Sequence, residues 1–265
     1  MSRLRKATVF KITIGVLVIS AIISINLWAE GKAEKEAKKV KTFKIHHVMN
    51  TQHYYHTGAE KFKELVENNS GGTIKVEIYP NGQLGSDKEV LELLQSGDVA
   101  FATGIPSSKL SSFVPEMNAL DLPYLWKTQE EMKEWTKSES ARKMLEVVED
   151  YGFKGLGYCV VNMRYPLSKK GPLEKPEDFK GLKIRVMGTP VAIDAYKALG
   201  ASPVPMPFGE VYTAMQTGVV DACENSIATL WSQRFYEVAE YVSMVPVLPF
   251  VGFNLMSKEI WDSLT

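Results

Sequence analysis

The segment SDKEVLELLQSGDVAFATG, from Ser86 to Gly104, decides the fold class. Ser86 suits an N-cap, KEVLELLQ has the composition of a helix, and Gly97 closes it. DVAFATG then returns as a strand. Upstream, TIKVEIYP alternates apolar and polar residues as far as Pro80, which predicts a strand. Before it, Ala59, Phe62, Leu65 and Val66 recur at helical spacing, and NSGG (Asn69 to Gly72) stops that helix. FKIHHVM, near the start, is another strand candidate. Downstream, YCVVNMR and GLKIRVMG read as strands, Pro190 to Leu199 as a helix closed by Gly200, and ASPVPM as a strand. Glu210 to Gln216 is the next helix, and VVDACEN the next strand. Helices alternating with strands predict parallel βαβ units in an α/β layer fold. Ligands of such sheets sit beyond the carboxyl ends of the strands, so the loop Gly104 to Ser108 is a candidate binding wall. LLQSGDVAFA and AMQTGVVDAC share one pattern; it marks either two domains of similar build or the common chemistry of a helix-to-strand corner.

The 31 basic and 31 acidic residues of the 265-residue chain balance, which excludes an obvious nucleic-acid binder. The balance is uneven along the chain. Arg3, Arg5, Lys6 and Lys11 precede the apolar run ITIGVLVISAIISINLWA, and no acid occurs before Glu30. Residues 1–29 therefore read as a signal peptide, or as an uncleaved anchor; either exports the rest, to a periplasmic or other extracytoplasmic location. EGKAEKEAKKVK, residues 30–41, is a charged, solvated tether. Cys159 and Cys223 are read as two buried thiols rather than a disulfide.

An enzyme is the first reading to test. His46, His47, His53 and His56 lie close together, which suggests a secreted metal-dependent hydrolase as the alternative. No HExxH, GxSxG, Walker A or GxGxxG sequence accompanies them, so no catalytic residue, metal or cofactor is assigned. The binding case rests on Arg185. Strand alternation in KIRVM puts Arg185 and Lys183 on one face, with Ile184 and Val186 on the other. A guanidinium within a buried sheet needs an anionic partner. That partner is either an internal Glu or Asp, or a ligand carboxylate gripped by the planar five-donor fork. Arg164, at the end of YCVVNMR, is a second cation at a strand's carboxyl end. Trp231 and Tyr236, at helical spacing, are expected in the core.

YPNGQLGSDKEVLELLQSGDVAFA, GLKIRV, ALGASPVPM and FGEVYTAMQTGVVDACEN together resemble the DctP-type family. These are extracytoplasmic solute receptors of TRAP (tripartite ATP-independent periplasmic) transporters. The likeness runs from about Phe43 to the last residue. It implies an α/β, two-domain periplasmic binding protein-like fold with a ligand cleft between the domains. Domain I would cover 42–162 and domain II 163–250, with 251–265 returning into domain I. The resemblance makes Arg185 the main ion pair of the ligand carboxylate and Arg164 its assistant. It also implies Asn225 and Phe208 from domain II, and Gly104, Ile105, Ser108 and Asp87 from domain I. Phe208 can equally be a hydrophobic staple, and Asn225 a turn residue satisfying backbone groups. Relatives that bind sialic acid carry a glutamate and an arginine where Ile105 and Ser108 stand, which argues against that ligand.

What the resemblance implies is a binding protein, not an enzyme. It is expected to be a monomer that captures a small organic carboxylate and docks on integral membrane permease subunits of the TRAP type. A chemoreceptor sensor is a third reading, opposed by the lack of any signalling coiled coil. The family continues with long helices beyond the position of Thr265, so a C-terminally incomplete receptor of low stability is expected.

Overall fold

The structure, a computed structural model, describes residues 40–264. The leader and nearly all of the tether lie outside the described residues; Lys41 already belongs to the first strand. The first half of the fold comprises β1 (Lys41–His46), α1 (Tyr54–Asn69), β2 (Ile74–Tyr79), α2 (Asp87–Gln95) and β3 (Phe101–Pro106). The short helices α3 (Ser107–Leu110), α4 (Gln129–Trp135) and α5 (Glu139–Val147) follow, and then the long strand β4 (Phe153–Ser168). The second half comprises β5 (Lys183–Val186), α6 (Pro190–Ala198), β6 (Ser202–Pro205), α7 (Val211–Thr217) and β7 (Ala222–Asn225). It ends with α8 (Ile227–Ser232), β8 (Tyr241–Val242), β9 (Leu248–Ser257) and α9 (Lys258–Asp262).

The strands run in the order β2-β1-β3-β9-β4-β7-β5-β6, with β8 also on β4. β1 lies parallel to both β2 and β3, and β5 is parallel to both β6 and β7, so each half contains βαβ crossovers. β4 and β9 join the halves. From Phe153 to Arg164, β4 pairs antiparallel with β9; from Tyr165 to Ser168 it pairs with β7. Sixteen residues make β4 long enough to serve both. The buried apolar side chains separate likewise. Ile45, Leu91, Phe153 and Phe253 belong to packing clusters on one side, and Ile184, Tyr196, Met215 and Val220 to clusters on the other. The result is a two-lobed α/β fold with a cleft between the lobes.

The two similar corners in the sequence have the same geometry. Gly97 and Gly218 take φ of +75° and +77°, a left-handed backbone that closes a helix readily only with glycine. At each, the residue two positions on donates back over the corner, Val99 to Leu93 O at 3.1 Å and Val220 to Ala214 O at 3.2 Å.

One expectation fails. Trp231 and Tyr236 are 71% and 48% exposed rather than in the core, and their rings pack on each other at 5.1 Å. Arg234 adopts φ +58° between them and breaks the helix, so helical spacing does not apply. Both cysteines are free thiols, Cys223 buried and Cys159 half-buried.

Candidate functional site

Arg185 reaches the cleft because β5 is a buried strand with alternating faces. Ile184 and Val186 enter one core cluster, while Arg185, 2% exposed, projects from the opposite face and lines the cleft. Its Nε and Nη2 donate to Met206 O at 3.2 and 2.9 Å. Nη1 has no hydrogen-bond partner among the described residues, and no carboxylate lies within ion-pair distance of this guanidinium. Burial, and then the charge of Arg164, push its pKa down to about 10. A cation destabilised in this way attracts an anion strongly.

Arg164 stands in contrast. It is equally buried, but its Nε and Nη2 grip the Glu224 carboxylate, and Nη2 also donates to Glu224 O at 2.7 Å. Burial pulls its pKa down, yet Glu224 outweighs this and the net shift is upward. Asn225, the next residue of β7, accepts from Ser226 N at 2.9 Å through Oδ1, and from Arg164 Nη1 at 3.4 Å. Its Nδ2 has no partner among the described residues. Phe208 lines the cleft and also packs edge-on against Phe235 at 6.0 Å, so it joins wall and core.

On the facing lobe, Gly104 carries φ +79° where β3 bulges against β9. A Cβ there would overlap the Tyr55 ring, so glycine lets an aromatic side chain close the cleft wall. Asp87, the first residue of α2, lines the cleft with an 11% exposed side chain. The cleft has about 510 Å³ of unfilled space and continues into a wider section between Gly85–Lys88 and Pro205–Glu210.

Six of the eight residues named from the sequence therefore line one cleft: Arg185, Arg164, Asn225, Phe208, Gly104 and Asp87. Two do not. Ile105 is fully buried in the core with Leu110 and Phe253, because the bulge at Gly104 shifts the alternation of β3. Ser108 is also buried, with its Oγ 3.2 Å from Met187 Sδ rather than facing open space. Sequence reasoning missed Glu224, Lys109 and Met206. The first stands inside the VDACEN motif, but nothing in its spacing reveals a partner sixty residues away.

The histidines are dispersed into structural contacts. His47 Nε2 meets His56 Nδ1 at 3.1 Å, and His53 Nδ1 accepts from Tyr55 N at 3.2 Å. His46 is wholly buried, 3.8 Å from Asp87. Among the described residues no three of His, Cys, Asp or Glu form a group able to hold a metal ion.

The family model for bacterial extracellular solute-binding protein, family 7 (DctP), matches residues 45–265. A C4-dicarboxylate-binding protein, DctB, from Bacillus subtilis is 35% identical over 225 residues, which are 84% of this chain and 63% of that protein. The chain thus spans less than two thirds of that relative. A TRAP periplasmic solute-binding protein from a Sulfitobacter species, solved with β-D-galacturonate, superposes with a TM-score of 0.82 at 31% identity. The match covers 85% of this chain and 75% of that one. One from Shewanella oneidensis, solved with succinate, gives 0.79 at 33% identity, covering 85% and 73%. These are receptors, and nothing in them supports the hydrolase alternative. The chain belongs to the bacterial extracellular solute-binding proteins of family 7, the DctP family.

Proposed function

We propose that this chain captures a small organic carboxylate outside the cytoplasm, as a monomer, and delivers it to the membrane permease subunits of a TRAP-type transporter. The observation that carries the proposal is Arg185: a buried guanidinium that, among the described residues, has no partner for Nη1 and no acid within ion-pair distance, with an open cleft before it. A ligand carboxylate would complete its fork, with Asn225 Nδ2 as a further donor. Arg164, already neutralised by Glu224, would hold Asn225 and the floor of the site in place. The succinate and galacturonate of the solved relatives both carry such a carboxylate. We take residues 42–162 with 251–265 as one lobe and 163–250 as the other. Because both line the cleft, a bound ligand favours their closed arrangement by its differential affinity. Among the described residues no helix is long and apolar enough to cross a membrane. Calorimetry on Arg185→Ala tests the assignment. Binding should weaken by about 2–5 kcal/mol, the cost of losing one partner of a buried charge pair. Unchanged affinity in that variant rejects it.

A further inference from the structure

We infer that the cleft selects a hydroxylated monocarboxylate over a dicarboxylate, with Asp87 and Lys109 reading a ligand hydroxyl at the end away from Arg185. The inference rests on Arg185 as the carboxylate anchor and adds the class of acid. Five charged groups line or floor the section that holds Arg185; Lys88 and Glu210, of opposite sign, line the wider section beyond it. Arg164 and Glu224 cancel each other. Arg185, Lys109 and Asp87 remain, and among the described residues none has an oppositely charged Lys, Arg, Asp or Glu group within 4 Å. The nearest basic atom to Asp87 is His46 Nε2, at 3.8 Å, and its carboxylate makes no hydrogen bond among the described residues. With histidines neutral, the site carries one net positive charge.

These three groups share one space. Burial, then Arg185, lower the pKa of Lys109, while Asp87 opposes the shift. A monoanion brings this group of charges to neutrality; a dianion leaves an excess negative charge, with Asp87 among the groups near its second carboxylate. A hydroxyl suits Asp87 and Lys109 together, since it donates to the acid and accepts from the ammonium. An ionised carboxylate cannot donate at all. The relatives do not decide the matter, because both classes of ligand occur among them; the side chains do.

D-erythronate and succinate are four-carbon acids that differ in charge and hydroxylation more than in length, so they isolate the effect. In calorimetry on the full chain, erythronate should bind at least about tenfold more tightly than succinate, a modest share of the penalty for juxtaposed like charges. Asp87→Asn should narrow that ratio by weakening erythronate and strengthening succinate. Lys109→Gln should weaken erythronate severalfold. Succinate binding as tightly as erythronate, lost in Arg185→Ala, overturns this inference and leaves the anchor standing. So does an Asp87→Asn variant that weakens both acids equally. Binding of neither acid, nor of D-galacturonate, removes the anchor and this inference together.

Discussion

Arg164 and Arg185 are both 2% exposed, yet only one has an acid beside it. The difference sets what each residue does when its surroundings change. Glu224→Gln would strand Arg164 as a buried cation, and the folded state should lose about 3–5 kcal/mol. Urea unfolding measures this directly, and a loss below 1 kcal/mol contradicts the pairing. Arg185→Met should cost far less stability, since no buried carboxylate is orphaned. Gly104 is a second residue without an acceptable substitute. Gly104→Ala combines left-handed backbone strain with overlap of the Tyr55 ring, and on the order of 2 kcal/mol should be lost. Arg185 was legible in the sequence because a charged residue between two β-branched ones identifies the minority face of a strand. The partner of Arg164 was not, since pairing between β4 and β7 is a property of topology. Ile105 lies in the core because the bulge at Gly104 reverses inside and outside along β3, and Ser108 is buried in the short helix that follows; nothing in IPSS announces either.

At the scale of elements, α1 shows what periodicity leaves out. The apolar spacing suggests a start near Gly58, but the helix begins at Tyr54 because His53 caps it, accepting from Tyr55 N. The cap makes the helix sensitive to pH. Burial lowers His53 to about 4, and burial followed by the charge of His56 lowers His47 to about 4, from an ordinary 6.5. Between about pH 4 and 6.5 the unfolded chain binds more protons than the folded one. Stability from these groups is therefore full above 6.5 and is lost as pH falls through that window, by at most ~3 kcal/mol per histidine. Asp121 works the other way: burial raises it to about 7, so its contribution is lost as pH rises from 3.8 towards 7. Denaturant titrations should show net loss on acidification. His53→Asn, which retains a capping oxygen but does not titrate, should flatten the slope; an unchanged slope excludes His53 as a source. The corners at Gly97 and Gly218 were readable because glycine chemistry is local. β9 carries no comparable mark, since it is buried on both faces and its run LPFVGFNLMS shows no alternation.

For the whole molecule, the contacts that join the two lobes beside the cleft matter most. The loop after β1 reaches α8 of the other lobe: Asn50 Nδ2 donates to Ser232 O at 2.7 Å, His53 Nε2 lies 3.4 Å from Thr229 Oγ1, and Gln233 Nε2 lies 3.7 Å from Met49 Sδ. Met49 and Thr229 also line the cleft, whereas Asn50 and Ser232 do not, so the Asn50 bond joins the lobes away from the lining. Removing this bond shifts the open–closed balance by its own net worth, about 0.5–1.5 kcal/mol. Asn50→Ala should therefore weaken every ligand by a common factor, roughly two- to tenfold, whatever its chemistry. A residue that reads the ligand behaves differently, because it changes the ratio between ligands. Calorimetry of Asn50→Ala with erythronate and succinate separates the two. Equal fold-losses for both acids identify a latch between lobes. A selective loss for one acid instead makes Asn50 part of the recognition surface, and no loss at all means the bond persists in neither arrangement strongly enough to bias closure.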